Sequence, residues 1–571
     1  MNWTSVKRYI PLLCIVILAS LFRFVYLNRI PNAISGDELL YAITAKSIYL
    51  TGHDISGTWN PLSVFLFRYP PNEQQAELPY FLHLLTAPFP FSLYLAKLPF
   101  AIFSVGIVIL LYLIAKKLFG ESVGIATGLT AAINPWLVVM GRTGYESTPA
   151  TFFYLLGLYL MLTTHGWSIV WSILPFILAF YSYIGTKLIF IPFVAVTAFL
   201  AYLRRKQYKK QFILVCLISL AFTVGFLILL KSSPTGSRIS ELFLPNSTTV
   251  SNDVNEIRRT AIQLPFLSLA VNKYTVYFQE VFTKIFRIFS PTYLFVEGDQ
   301  FFLPARQSFF YYIDFFFLAL GALVVFTKKR IYFFVIWIFI LLGTFPHLFH
   351  KTTGDFSGHL TLMFPFMVIL IGSGIAGLIR SVTNRYKPFI IIGIICLYAV
   401  NLVSFSVIYF AQTPLVGYAD FPMRVLSRYA KMGARQSKPV IIYSTRSYDV
   451  FKKYLFYTDM MNKQTIPEIR RIGNQSLFVF DGIHFSSCPN TVTTATESTT
   501  LIYDVGCNPP ENLPHLSITK LSDAGETYKI FNDTMCQPYE LQRYPQHLTF
   551  SDFSIESLTE KEFCTVYISR R

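Results

Sequence analysis

The chain has 571 residues, 53% of them hydrophobic and only 14% charged, with a mean hydropathy of +0.48. Soluble domains carry about 25% charged residues, so a soluble globular protein is excluded. The net charge of +17 would suggest nucleic acid in a soluble chain, but here the basic residues fall in short clusters between apolar runs, where they orient membrane spans; no nucleic-acid partner is expected.

A run of about 17 to 25 apolar residues suffices to cross a bilayer. The first such run is 9–27. Lys7 and Arg8 precede it as in a signal peptide, but Phe22, Arg23 and Phe24 stand where a small-residue cleavage site would be, so it is read as a span. A hydrophilic stretch, 28–97, follows, and Ser35-Gly36-Asp37-Glu38 leads there into an apolar helix beginning at Leu39. Adjacent carboxylates at a helix start have two readings. Asp37 caps the helix and both charges favour its dipole, or a carboxylate just outside the bilayer takes a proton from an acceptor hydroxyl, with burial tuning its pKa. Later in the same stretch the run 78–89, short and bounded by prolines, reads as an interfacial helix.

Spans are expected next at 98–115, 123–140 and 149–162. Between the last two lies Gly141-Arg142-Thr143-Gly144-Tyr145-Glu146. On a helix Arg142 and Glu146 would form a local ion pair of small value; alternatively Glu146 is a second acid facing the same cavity as Asp37. After the span 168–183, Tyr181-Ser182-Tyr183-Ile184-Gly185-Thr186-Lys187 places one ammonium at an apolar outer turn. There it snorkels, or it holds the phosphate of a lipid-linked substrate. Spans 187–203 and 211–230 lead to a second hydrophilic stretch, 231–308, in which 268–289 has the spacing of a helix lying along the membrane surface. That stretch continues through Phe295-Val296-Glu297-Gly298-Asp299, and spans 309–326, 331–349, 360–379 and 388–410 bring the total to about eleven. His347, His350 and His359 gather before the tenth; their spacings of three and nine fit no metal motif, so an interfacial role, or a sugar or phosphate contact by His359, is preferred to a metal site.

A cytoplasmic N-terminus puts the clusters Lys7/Arg8, Lys116/Lys117, Arg204 to Lys210, Lys328 to Arg330 and Arg380 to Lys387 inside, leaving Arg142, Lys187 and Lys351 in the opposite short loops. An odd span number sends the C-terminus out. The expected organisation is a membrane domain, 1–410, and a small extracytoplasmic α/β domain, 411–571, in the plasma or inner membrane. Cys488, Cys507, Cys536 and Cys564 all fall in that outer domain, an even set that suggests one or two disulfides with three full pairings open. No Walker loop, GxGxxG turn or GxSxG elbow is present.

Several stretches together resemble a known family. The first span, then Pro31 through Gly36-Asp37-Glu38-Leu39-Leu40-Tyr41, then Leu50-Thr51-Gly52-His53-Asp54, then Lys97-Leu98-Pro99-Phe100-Ala101 entering a span that ends Lys116-Lys117-Leu118-Phe119-Gly120, are similar to bacterial membrane glycosyltransferases of the GT-C fold. That group is related to dolichyl-phosphate-mannose:protein mannosyltransferases and to the aminoarabinose transferase of lipid A. The likeness runs on through Asn134-Pro135-Trp136, Arg142 with Glu146, Tyr183 with Lys187, Phe295 to Asp299, and His359 with Pro365. It implies a mainly α polytopic fold and transfer of a sugar from a polyprenyl-phosphate carrier to a protein, lipid or glycan at the outer membrane face, usually with inversion. By the resemblance Asp37 is the candidate base, with Glu38 beside it and Glu146 as second acid; Arg142, Lys187, Tyr183, His359 and Asp299 are candidates for the donor phosphate or substrate. Lys187 stands where relatives often carry Arg. The lipid-linked donor and membrane lipid are the implied partners, no resident cofactor is implied, and a need for a divalent metal is left open. The readings from other classes are a lipid or sugar transporter or flippase, which would place ionisable residues at mid-membrane, and a polysaccharide polymerase.

Overall fold

The computed structural model describes residues 3–57, 77–231, 247–262, 264–299, 301–303, 307–350, 356–416, 420–436, 438–473, 475–489, 499–510, 513–541 and 548–570. All the apolar runs expected to span lie on helices: α1 Trp3–Phe24, then, after the loop helices α2 Gly36–Thr51 and α3 Glu77–Leu84, α4 Leu93–Phe119, α5 Glu121–Ile133 with α6 Pro135–Met140, α7 Ser147–Thr163, α8 Ile173–Ser182, α9 Phe190–Arg204 and α10 Lys209–Lys231. Past α11 Ser247–Thr260 and α12 Lys273–Ile288 come α13 Tyr312–Lys328, α14 Arg330–Leu348, α15 Met363–Ser381 and α16 Lys387–Ser406. Among the described residues five of these helices are by themselves long and apolar enough to cross a membrane, and five more are apolar but shorter, making this a multi-pass membrane protein. The stretches 28–97 and 231–308 read as hydrophilic loops are described only in part; they carry α2, α3, α11 and α12.

The run 123–140 is two helices rather than one. Pro135 lacks an amide proton and follows the cap residue Asn134, whose side chain accepts from the Leu137 amide. Carbonyls freed at the break must be satisfied inside the bundle. Arg23 donates to Ala132 at 2.6 Å and Ala131 at 3.2 Å, and the Tyr311 hydroxyl donates to Ile133 at 2.7 Å. Arg23 also donates to Ser104 Oγ at 2.9 Å. The other ion within the spans, Asp314, accepts from Tyr398 at 2.5 Å and from the Tyr311 amide at 2.9 Å. Helices α13 and α15 touch backbone to backbone: a Cβ on Gly321 would stand 1.8 Å from the Leu370 carbonyl oxygen, and one on Gly374 2.1 Å from that of Phe317.

The 27-residue α4 has one end, at Leu93 and Ala96, in the core of the C-terminal domain. At its other end Lys116 pairs with Glu121 at 2.5 Å, Lys329 donates to the Leu118 carbonyl at 2.7 Å, and Arg380 bonds Ser122. Basic clusters and C-terminal domain thus occupy opposite ends of the bundle, about 40 Å apart at 1.5 Å per residue.

The C-terminal domain is α/β: α17 Phe421–Gly433, α18 Ser447–Tyr457, α19 Ile466–Ile472 and α20 Glu560–Tyr567 accompany a seven-stranded sheet. The strands are β1 Val440–Tyr443, β2 Leu477–Phe480, β3 Ile483–Ser486, β4 Thr500–Asp504, β5 Leu516–Thr519, β6 Glu526–Phe531 and β7 Ile568–Arg570, in the order β2-β3-β1-β4-β6-β5-β7. Among the described residues the pairs β1–β3 and β1–β4 are parallel, and the other pairs are antiparallel. Of the three pairings open in sequence the structure has Cys488–Cys507 and Cys536–Cys564. The domain core extends into the membrane domain's first loop: Ala33, Ile34, Leu39, Ala42 and Ile43 pack in one cluster with Leu426, Phe451 and Tyr454.

Candidate active site

The site is built on the start of α2. Ser35 is its N-cap, and Ser35 and Glu38 form a capping box: the Glu38 amide donates to Ser35 Oγ at 3.3 Å and the Ser35 amide to Glu38 Oε2 at 2.8 Å. Asp37 is the second residue of the helix, so the reading of Asp37 as cap is corrected to Ser35. Glu38 has a further task, because its Oε1 accepts the Gly144 amide from the turn before α7. Both Glu38 oxygens therefore hold backbone. Asp37 is partly exposed beside it, with its charge favoured by the helix start.

The second acid comes from the loop between α6 and α7. Residues 141–146 form turns rather than a helix, which removes the basis for an Arg142–Glu146 pair. Arg142 is fully buried and donates to the carbonyls of Phe22 at 2.9 Å, Arg23 at 3.2 Å and Ile30 at 2.8 Å, under the ring of Phe410 at 5.0 Å. It thereby closes the C-terminal end of α1 as a strut. Glu146 accepts from the Tyr41 hydroxyl at 2.8 Å, which ties the loop back to α2. Burial and, next, the charge of Asp37 push the Glu146 carboxyl up to about 7. Tyr183 lies within electrostatic reach of the same two carboxylates. Asp37, Glu146, Tyr41 and Tyr183 thus share one electrostatic neighbourhood.

Because the folded pKa of Glu146 lies above the ordinary 4.5, its contribution to stability is present below about pH 4.5 and is lost as pH rises through about 7. Glu146→Gln keeps an oxygen for Tyr41 and carries no charge. It is expected to be more stable than wild type at about pH 8, by up to about 3 kcal/mol, and no more stable near pH 4.5. Thermal unfolding in detergent at the two pH values measures this; equal stability at pH 8 would show that the site does not oppose the Glu146 anion.

The far wall is aromatic and basic. Tyr183 hydrogen-bonds His359 Nδ1, and the rings of His359 and His350 lie 4.4 Å apart. Burial, then the neighbouring His350 and His347, keep His359 well below the usual histidine range, so its ring is neutral and suits a hydroxyl better than a phosphate charge. Among the described residues no three His, Cys, Asp or Glu side chains are placed to hold a metal ion together. Lys187 stands among the rings of Phe180, Tyr181 and Phe226, at 5.3 to 5.8 Å. Asp299 is buried and accepts from the amides of Phe301 and Ser357, both at 2.7 Å, and from the Ser357 hydroxyl, so it fastens two loops.

Sequence reasoning missed Lys284. The helix expected along the membrane surface forms as α12, with Tyr274, Phe278, Phe282 and Phe286 exposed at every fourth position. On its opposite face Lys284 is buried, pairs with Glu280 at 2.7 Å and donates to the His350 carbonyl at 2.8 Å. Its charge, and that of Arg287, reach His347. The signal was the cations at 284 and 287 facing away from the aromatic stripe.

Residues 77–229 match a family model described as dolichyl-phosphate-mannose-protein mannosyltransferase. A comparison with curated proteins finds no match. Among solved structures, ArnT from Cupriavidus metallidurans bound to undecaprenyl phosphate is 13% identical with a TM-score of 0.48, over 92% of this chain and 98% of that one. The archaeal oligosaccharyltransferase AglB from Archaeoglobus fulgidus, in complex with an inhibitory peptide and a dolichol-phosphate, is 12% identical with a TM-score of 0.46, over 93% of this chain and 75% of that one. The matched segment holds Arg142, Glu146, Tyr183 and Lys187, and in it the chain is similar to membrane glycosyltransferases of the dolichyl-phosphate-mannose:protein mannosyltransferase group.

Proposed function

We propose that the protein is an inverting, polyprenyl-phosphate-sugar-dependent glycosyltransferase of about eleven spans, acting at the membrane face that carries the C-terminal domain, with Asp37 as general base. The observation that carries this reading is the meeting of Asp37 and Glu146 at one end of an apolar bundle, beside hydrogen-bonding phenols and a neutral imidazole. In a single displacement the acceptor hydroxyl loses its proton to Asp37, its oxygen bonds to the anomeric carbon, and the lipid phosphate leaves with the bonding electron pair. No covalent carboxylate intermediate is needed. Lys187, on the chain's matched segment, and the basic wall around Lys284 are the groups suited to the departing phosphate, each as a point charge. Tyr183 and His359 suit sugar hydroxyls, and Glu146, near neutrality in pKa, can keep or release a proton as the acceptor enters.

A transporter would use ions at mid-membrane. Arg23 and Asp314 are instead bound to helix-break carbonyls and to a helix start, which favours the enzyme. The test is label transfer in membranes containing the full chain, from a radiolabelled panel of polyprenyl-phosphate hexoses and pentoses. Transfer from one donor to protein, lipid or glycan, absent from control membranes, is expected. A folded, inserted protein that transfers from no donor would sink the proposal and turn attention to transport of the same lipids.

A further inference from the structure

Five consecutive backbone carbonyls just ahead of α2 each accept a hydrogen bond from a cationic side chain. Arg142 reaches Ile30 at 2.8 Å, Lys97 reaches Pro31 at 2.6 Å and Ala33 at 3.2 Å, Arg424 reaches Asn32 at 2.6 Å, and Lys453 reaches Ile34 at 3.2 Å. All four cations are buried, and so is the strap 30–34 they hold. The strap is neither helix nor strand, so its carbonyls have no regular partner and must be satisfied by side chains. Charged donors make these bonds shorter and stronger than neutral ones would.

The four cations come from two domains. Lys97 and Arg142 belong to the membrane helices and their loops; Arg424 and Lys453 lie on α17 and α18 of the C-terminal domain. Each of the latter carries its own counter-charge: Glu556 binds the Arg424 guanidinium through both oxygens, at 2.7 and 2.6 Å, and Asp420 pairs with Lys453 at 2.6 Å. Tyr457 of α18 also accepts the Ile34 amide, at 2.9 Å. The strap ends at Ser35, the cap of the helix whose second residue is Asp37. Apolar packing alone would let the domain slide on α2, since it is non-directional; these bonds fix register.

We propose that the C-terminal domain positions the active centre: Arg424 and Lys453 act as positioning residues that hold the strap 30–34 and, through it, set where Asp37 stands. The inference rests on Asp37 being the base. It makes the domain part of the catalytic unit.

Two variants test it in the full chain: Lys453→Met, and Arg424→Gln combined with Glu556→Gln so that Glu556 is not left as a charge without its partner. Hydrogen exchange of peptides covering residues 30–38 is measured with steady-state transfer from whichever panel donor labels wild type. Faster exchange in that segment is expected, with strands β1 and β4 unchanged, together with a fall in kcat of about 10- to 100-fold at a KM altered less than about twofold. Lys453→Arg should restore both. Unchanged exchange at 30–38 in a folded variant would overturn the proposal, as would a loss carried by KM, which would mark a substrate contact. Asp37→Asn transferring at the wild-type rate would instead overturn the base assignment; faster exchange and lower kcat in the strap variants would still support the domain's hold on the site, so the two failures are told apart.

Discussion

Asp37→Asn is expected to lower kcat by about 10²- to 10⁴-fold, the range for loss of a positioned general base. The substitution is nearly isosteric and removes the proton acceptor alone. Because Ser35 and Glu38 close the helix start between them, α2 does not depend on Asp37 for its cap. What the helix loses is one charge near its N-terminus, about 0.3 to 1 kcal/mol at an exposed site. The variant should therefore fold, insert and bind donor as wild type does, with KM unchanged while kcat falls, the mark of a group used only in the transition state. Relief of the charge facing Glu146 should also lower the Glu146 pKa, since the Asp37 carboxylate is the second cause of its rise. A kcat within about tenfold of wild type would place the base elsewhere, and Glu146 would be the first alternative.

What was legible in the sequence follows the range of the interactions concerned. Apolar runs declare themselves locally, so the helices formed where hydropathy placed them; the break at Pro135 was equally local but was read through because the run continues on both sides. The acids Asp37 and Glu146 were picked out as exceptions in apolar surroundings, and the structure does bring them into one electrostatic neighbourhood, 109 positions apart. Pairing by spacing misled at Arg142: four residues mean a shared face only on a helix, and the glycines at 141 and 144 bracket a non-helical turn. Its real partners, Phe22, Arg23 and Ile30, are more than a hundred residues away. Arg424 and Lys453 were invisible for the same reason, since their strap partners are 392 and 419 positions distant. The even set of four cysteines showed that bridges were to be expected, whereas only the folded domain brings Cys488 to Cys507 and Cys536, in the loop after β6, to Cys564 on α20.

Glu38→Ala should behave in the opposite way to Asp37→Asn, losing stability first and activity as a consequence. Two backbone bonds depend on this carboxylate, the Ser35 amide on Oε2 and the Gly144 amide in the neighbouring loop on Oε1; the amide of residue 38 still donates to Ser35 Oγ in the variant. Loss of half a capping box costs about 0.5 to 2 kcal/mol, and an orphaned buried amide about 1 to 3 kcal/mol, so a loss on the order of 2 to 4 kcal/mol in unfolding free energy is expected. Gly144→Ala attacks the same joint from the other side, because its Cβ would stand 2.6 Å from Glu38 Cγ and 2.9 Å from Oε1. Either change loosens the loop that carries Glu146 from the helix that carries Asp37, and transfer should fall in proportion to that loosening. Thermal unfolding beside the transfer assay separates the roles. Should Glu38→Ala keep its stability and lose kcat as Asp37→Asn does, Glu38 would be a chemical participant; should it unfold early while Glu38→Gln, which retains an acceptor oxygen for Gly144, transfers at an intermediate rate, the joint between the two acid-bearing segments is its task.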